Sequence, residues 1–184
     1  MKRSGFKGLV AAGLVAASMV STTSAVSASD MFLKIGNIKG ESTDDKHKDW
    51  IEVLSWSWGT SPNTGKTKRG TVAPQCINDL VLTKYVDSSS PELIMNAVLG
   101  QAAKDATLTM RKAGKDQQEF LIIKMQDVLV SSYQTGANSS NEAQLTDAIT
   151  LHFSSISGEY RPVRDDGKVG TAVTFQISGD CSEK

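Results

Sequence analysis

Short segments in which apolar and polar side chains alternate with period two recur through most of this chain. The segment 145–160 shows the pattern well, because Ile149, Leu151 and Phe153 fall on one face with polar residues between them. Successive side chains of a β-strand point to opposite faces, so this alternation is typical of a strand with one buried face. Strands and helices do not alternate along the sequence, and an antiparallel, mostly β fold is therefore expected.

A single helix is predicted, over residues 91–99. Ser90 can serve as its N-cap, Pro91 suits the first turn, and Gly100 can end the helix in a left-handed conformation. The helix carries an apolar stripe made of Leu93, Ile94, Ala97 and Val98. About seven strands are predicted beside it, covering residues 32–38, 50–58, 77–86, 106–112, 119–131, 145–160 and 171–177. These elements predict an antiparallel β-barrel or sandwich with one flanking helix.

Two strands carry additional expectations. The apolar phase of the strand over 145–160 changes near Ser154 and Ser155, which indicates a β-bulge at that point. The last strand places Val173, Phe175 and Ile177 on one face, and this face is expected to point inward.

The first 28 residues have the composition of a secretory signal peptide. A basic start is followed by a short apolar run and a small-residue segment that ends at Ala28. The apolar run, Leu9 to Val20, is shorter than the roughly 20 residues that a membrane-spanning helix needs. The expected organisation is a signal peptide over 1–28 and one domain over 29–184, exported to the periplasm or the cell exterior, with no stable membrane insertion.

The charge balance argues against nucleic-acid binding. The full chain has 20 basic and 20 acidic residues, and the first 28 residues contain three of the basic ones. The remaining domain would have 17 basic and 20 acidic residues, a net charge of −3. Nucleic-acid-binding domains usually present a strongly basic face instead.

The two cysteines leave two alternatives open. Cys76 and Cys181 can form a disulfide in an oxidising compartment, where the bond would close a long loop and stabilise the fold. They can equally be two unpaired thiols, because sequence does not show whether their Cα atoms come close enough.

The sequence contains no constellation that predicts catalysis or a cofactor. Asp44, Asp45 and Asp49 lie close together but lack the glycine and the final glutamate of a calcium loop, so a solvated charged loop is expected. His47 and His152 have no second ligand at zinc spacing. We therefore expect a binding or assembly protein rather than an enzyme, with a secreted enzyme on a barrel scaffold as the weaker alternative.

A set of segments follows in a specific order along the chain: Met31 to Ile35 and Gly40 to Gly59, Lys84-Tyr85-Val86-Asp87 with Ser90-Pro91, Ala106 to Gly114, Ile123 to Ser132, and Tyr160-Arg161-Pro162. Together these segments resemble the Hcp family, whose members form the tube of the bacterial type VI secretion system. The resemblance extends from residue 31 to about residue 177.

This resemblance implies a two-sheet β-barrel with a flanking helix and a homohexameric ring. In the family such rings stack into a tube, and spike, sheath and effector proteins are its partners. The resemblance also implies that the loop after the first strand contributes to contacts between subunits. Here that loop comprises Glu41, Ser42, Thr43, Asp44, Asp45, Lys46, His47, Lys48 and Asp49.

A signal peptide is unusual for that family, and it leaves two routes open. An exported Hcp-like protein could act as a periplasmic or extracellular binding module outside the secretion machine. Alternatively, translation could start at Met31, where members of the family commonly begin, and the protein would be cytoplasmic before type VI export.

Overall fold

The structure is a computed structural model that describes residues 29–61, 76–112, 117–137, 145–164 and 168–179. The predicted signal peptide (1–28), most of the loop that precedes Cys76, and Cys181 lie outside the described residues. The predicted pairing of Cys76 with Cys181 therefore also lies outside them.

Ten strands and one helix make up the described part of the chain. The strands are β1 (Ser29–Ile35), β2 (Ile51–Ser57), β3 (Thr60–Ser61), β4 (Cys76–Ile77), β5 (Leu80–Tyr85), β6 (Ala102–Lys112), β7 (Glu119–Ala137), β8 (Leu145–His152), β9 (Ser155–Tyr160) and β10 (Val173–Ser178), and the helix is α1 (Ser90–Leu99). The helix is the only one among these residues and lies within one residue of its predicted start. No helix of the described chain is long and apolar enough to span a membrane.

Eight of the strands form one antiparallel sheet, in the order β10-β9-β7-β6-β1-β2-β5-β8. Because β8 also pairs with β7, the six strands from β7 to β8 close into a barrel. The expected mostly β fold, an antiparallel barrel with one helix, is confirmed. Strands β3 and β4 form a separate two-stranded ribbon.

The long strand β7 changes partner at Asp127. Residues 121–126 pair with β9, whereas residues 129–137 pair with β8. Asp127 has a left-handed backbone (φ 52°), and its carboxylate accepts a hydrogen bond of 2.7 Å from Ser154 Oγ. The break between β8 and β9 lies at this same point, so the bulge predicted near Ser154 is an interruption that divides the expected single strand in two.

The barrel interior is filled by the alternating apolar positions that the sequence indicates. Ile149, Leu151 and Phe153 are buried as predicted, and Leu80 and Leu82 face them from β5. The same core contains Leu33, Ile35, Ile51, Val53, Ala106, Leu108, Ile123, Met125, Val128, Val130 and Ile156. Burial of this contiguous apolar surface is the main source of the stability of the barrel.

The predicted inward face of the last strand is wrong. Val173 is 64% exposed and Phe175 is 40% exposed, and only Ile177 packs partly against the core. Strand β10 pairs with β9 alone and lies outside the closed barrel, so among the described residues its Val173–Phe175 face is covered only in part, by contacts such as the stacking of Phe175 on Trp58. Alternation indicates that two faces differ, but it does not indicate how much of each is covered.

The helix also differs from its prediction. Leu93 is fully buried, but Ile94 and Val98 of the predicted stripe are exposed, because α1 packs on β7 through a narrow row of residues. The residue at the N-cap position is Ser89 rather than Ser90, and Gly100 ends the helix with φ 62°, as expected.

Candidate functional site

The charged loop, residues 40–49, is a compact hairpin closed by backbone hydrogen bonds. Ser42 N–H donates to Trp50 O (3.0 Å), Asp49 N–H donates to Ser42 O (2.9 Å), and Gly40 N–H donates to Asp49 O (2.9 Å). A Cβ on Gly40 would lie 2.4 Å from Trp50 O, so this close approach requires glycine. The two ends of the loop are therefore held together by the backbone itself.

His47 points inward from the loop and is only 2% exposed. Its Nδ1 lies 2.8 Å from Asp44 Oδ1, and its Nε2 lies 2.8 Å from Glu119 Oε1 and 3.1 Å from Thr109 Oγ1. The imidazole is stacked on Phe32 at 4.4 Å between centroids and meets the edge of Trp50. These contacts fix the ring from both edges and one face.

Arg111 is a buried cation beneath the loop. Its guanidinium contacts Asp44 Oδ2 at 2.6 Å and Asp30 Oδ2 at 3.1 Å, and its Cζ lies 4.9 Å from the centroid of the Phe32 ring. We call Asp30, Asp44, His47, Arg111 and Glu119 the anchor cluster. It joins the loop to β1, β6 and the start of β7.

The anchor cluster keeps Asp44 ionised well below neutral pH. Burial alone would raise the pKa of this carboxyl, but hydrogen bonds from His47, Arg111 and the Lys46 backbone outweigh burial and lower the pKa to about 2. Burial likewise opposes the charge of Arg111, and its bonds to Asp44 and Asp30 reverse that effect and raise its pKa.

The expectation that the aspartates of the loop are all solvated is wrong for Asp44. Its side chain is 11% exposed and it receives N–H bonds from Lys46 and His47, each 3.0 Å long. Asp45 and Asp49 are exposed, as expected. The residues of the loop that face outward are Glu41, Thr43, Asp45, Lys46, Lys48 and Asp49.

The base of the loop is attached to the turn that precedes α1. Glu41 Oε1 accepts a 3.0 Å hydrogen bond from Ser88 N–H, and Ser88 Oγ lies 3.4 Å from Lys39 O. The charged loop is thus fastened at its inner side by the anchor cluster and at its base by this turn.

That turn is organised by a second buried group, the Lys84 cluster, which comprises Lys84, Asp87, Ser90 and Asp147. Lys84 Nζ lies 2.8 Å from Asp87 Oδ1, 3.0 Å from Asp147 Oδ2 and 2.9 Å from Ser90 Oγ. Ser90 Oγ donates to Asp147 Oδ2 at 2.5 Å, so the predicted N-cap serine is used in this cluster instead. Both Lys84 and Asp147 are fully buried.

The hydrogen bonds of the Lys84 cluster favour the ionised form of Asp147. Burial opposes ionisation of Asp147, but hydrogen bonds from Ser90 and Lys84 lower its pKa below the ordinary value. Burial, with the Asp147 carboxylate nearby, raises the pKa of Tyr133 to about 12. The alternation of side chains could have predicted this cluster. Lys84 lies on the same inward face of β5 as Leu80 and Leu82. Asp147 likewise lies on the inward face of β8 with Ile149 and Leu151.

The polar group formed by Asp79, Ser131 and His152 is not arranged as a nucleophilic triad. His152 Nδ1 and Ser131 Oγ both contact the Asp79 carboxylate, at 2.9 and 2.7 Å, so the carboxylate lies between them. In a nucleophilic triad the histidine lies between the serine and the carboxylate. Within the described ranges, no group of three histidine, cysteine or acidic side chains could hold a metal ion.

The family comparisons agree with this architecture. Residues 32–160 match the family model for "Type VI secretion system effector, Hcp". The chain is 45% identical over 141 residues to Protein hcp1 of Pseudomonas aeruginosa, an alignment that covers 75% of this chain and 86% of that protein.

Solved structures show the same similarity. The structure of a type six secretion system protein matches with a TM-score of 0.75 and 32% identity, over 82% of this chain and 96% of that chain. The crystal structure of Hcp1 from Salmonella typhimurium matches with a TM-score of 0.67 and 32% identity, over 82% and 94% of the two chains.

Proposed function

This chain belongs to the Hcp family of the type VI secretion system, and we propose from that premise that it is a non-enzymatic structural protein that forms hexameric rings. The rings would stack into a secretion tube and carry effector proteins in the lumen. Spike and sheath proteins of a type VI system would be its further partners.

The observation that carries this proposal is the outer face of the charged loop. Glu41, Asp45 and Asp49 lie there together with Lys46 and Lys48, and all five are exposed. A surface with both signs of charge suits contact with another copy of itself, because identical subunits must present complementary patches. The proposed subunit-contact loop is therefore residues Glu41 to Asp49.

Electron microscopy of the purified protein tests the ring. Six-fold ring particles at high protein concentration are the expected result, and sedimentation should give the mass of a hexamer. A protein that sediments as a monomer across all concentrations would contradict the proposal. A charge-reversal variant, Lys48→Glu, should weaken association, whereas Lys124→Glu, an exposed lysine of β7, should not.

We also propose that the protein is exported through a signal peptide over residues 1–28. Support comes from the composition of that segment, a basic start, a short apolar run and small residues up to Ala28, and from Asp30, which pairs with Arg111 and would be missing from a chain that begins at Met31. The alternative function, a binding module outside the secretion machine, shares this export route. N-terminal sequencing of protein from separated cell fractions tests it, with Ser29 expected and a cytosolic chain that begins at Met31 as the contradicting result.

Export would place Cys76 and Cys181 in an oxidising compartment, where we propose that they form a disulfide. The unreduced protein should then be about 2 Da lighter than the reduced protein, because one bond replaces two S–H groups. Two free thiols in periplasmic protein would exclude the pairing.

A further inference from the structure

We infer that the anchor cluster preforms the subunit-contact loop in the monomer, so that residues beneath the loop control assembly without touching the partner. This inference rests on the proposed function, since it concerns the regulation of the same contact surface. The expected partner is a second copy of this chain, because the outer face of the loop carries both signs of charge.

The first step of the argument is the division of the loop into two faces. Ser42 and His47 are buried and Asp44 is nearly so, whereas the charged residues between them point outward. A loop that was ordered only by its partner would not be expected to have an inner face with its own buried hydrogen bonds, because such a loop lacks internal contacts that offset the conformational entropy lost on ordering. Here the inner face is already satisfied within one chain.

The second step concerns what lies under the loop. Phe32, Thr109 and Arg111 belong to strands of the barrel but face away from its interior, in the pairs Phe32–Thr109 and Asp30–Arg111. All three are less than 5% exposed because the loop covers them. If the loop moved away, a buried arginine and an aromatic ring would be exposed to water and Asp44 would lose its ion pair.

The third step identifies a residue that acts on the loop from outside it. Glu119, at the start of β7, is 29% exposed and holds His47 Nε2 at 2.8 Å. Its substitution removes one support of the histidine but leaves the barrel core unchanged. Glu119, Arg111 and Asp30 are therefore positioning residues for the contact surface.

Hydrogen exchange of the full-length protein, diluted until it sediments as a monomer, tests this inference. The amides of Ser42, Lys46, His47, Asp49 and Trp50 are hydrogen-bonded, so they should be protected in the monomer. Glu119→Ala should make their exchange about tenfold faster, the effect of losing a hydrogen bond to a charged group. Glu119→Gln, which retains an oxygen acceptor for His47, should give an intermediate rate.

Glu159→Ala is the matched control. Glu159, in β9, is a glutamate of similar exposure, 30%, whose carboxylate pairs with Arg161 and not with a residue of the loop. It should leave the exchange of the loop amides and the association constant unchanged, whereas Glu119→Ala should weaken association about tenfold because the loop must then be ordered on binding. If dilution does not release monomers, the same two variants are compared by subunit dissociation rate, and Glu119→Ala should dissociate faster.

Two results would overturn the inference. One is free exchange of the loop amides in the wild-type monomer, with protection only after assembly. The other is an identical association or dissociation behaviour of Glu119→Ala and Glu159→Ala. Failure of the ring itself is a separate outcome, because a protein that never associates would still show whether its loop is protected.

Discussion

At the scale of single residues, the main finding is that charges are buried where the sequence indicates solvent. His47, Asp44 and Arg111 lie in segments that are polar by composition, and each is removed from water by a segment distant in the chain. Lys84 and Asp147 are buried in the inward phase of two neighbouring strands. Buried charges are tolerated in a folded protein only when they are paired. Removing one member of either cluster should therefore lower the free energy of unfolding markedly.

The acid response of the protein should depend on Asp44. Its pKa is about 2 in the folded protein and 3.8 as a free side chain, so its contribution to stability is present above pH 4 and is lost as the pH falls towards 2. At pH 6, Asp44→Asn should therefore lower the free energy of unfolding by about 2 kcal/mol, and this difference should shrink as the pH falls towards 2. Urea denaturation at several pH values measures it.

The control for this prediction is Asp45→Asn, because Asp45 is the adjacent, exposed aspartate. It should change the free energy of unfolding by less than about 0.5 kcal/mol at every pH. An equal, pH-independent loss in both variants would show that the charge of Asp44 is not what stabilises the loop.

Breaking the Lys84 cluster should be costly. Lys84→Met leaves the buried Asp147 carboxylate without its cation, which should lower the free energy of unfolding by about 3–5 kcal/mol. The double variant Lys84→Met with Asp147→Leu removes the fully buried pair and leaves only Asp87, which is 12% exposed and accepts a hydrogen bond from Ser89 N–H, so it should recover part of that loss. Lys124→Met, on the exposed face of β7, is the control. A double variant as unstable as Lys84→Met would contradict the assignment of the loss to an unpaired charge.

At the scale of elements, the edge of the sheet depends on an aromatic side chain packed over a glycine. Phe175 of β10 pairs directly with Gly158 of β9 and stacks on Trp58, with 5.9 Å between ring centroids. A Cβ at position 158 would lie 2.1 Å from Phe175 Cε1. The ring occupies the space that any larger residue would need, so β10 is aligned on the barrel by this contact.

Gly158→Ala should therefore displace Phe175 from Trp58 and lower the free energy of unfolding by about 1 kcal/mol, the size of one aromatic pair. Changes in the side-chain NMR signals of Trp58 would report the displacement. Gly136→Ala is the matched control, because no atom lies within 4 Å of the Cβ it adds. In a protein that already carries Phe175→Ala, Gly158→Ala should hardly change the free energy of unfolding. A loss of about 1 kcal/mol in that protein as well would contradict the proposed contact.

At the scale of the whole molecule, the barrel closes because β7 is long enough to pair on both sides of Asp127. It pairs with β6 along one edge and with β9 and then β8 along the other. The first strand lies opposite this closure and is paired with β6 from Ser29 onward. The start of β1 is thus part of the folded sheet, and Asp30 links it to the loop through Arg111.

A protein that begins at Met31 should consequently be less stable than one that begins at Ser29. It lacks the pairs of Ser29 with Lys112 and of Asp30 with Arg111, and it leaves Arg111 with one carboxylate fewer. The expected difference in the free energy of unfolding is about 1–3 kcal/mol. Asp30→Asn in the longer protein should reproduce part of the loss, since it removes the charge but retains the strand. Equal stability of the two proteins would show that residues 29 and 30 contribute nothing.

The sequence by itself determined the mostly β fold, the positions of most strands, the helix and the presence of a charged loop. Alternation of side chains, caps and glycines are local signals, and they are readable wherever one face of an element is buried. The place near Ser154 where the predicted strand is interrupted was of this kind, because a change of phase is visible within one segment, although the pattern indicated a bulge and not a break.

Only the tertiary structure decided which polar residues are buried and which apolar residues are exposed. His47 and Arg111 lie far apart in the sequence and become neighbours because the loop folds over the outer face of β1 and β6. Val173 alternates as a buried residue does, yet it is exposed because β10 lies beyond the closed barrel. A local pattern specifies the faces of an element, whereas burial of a face depends on a covering segment that is distant in the chain.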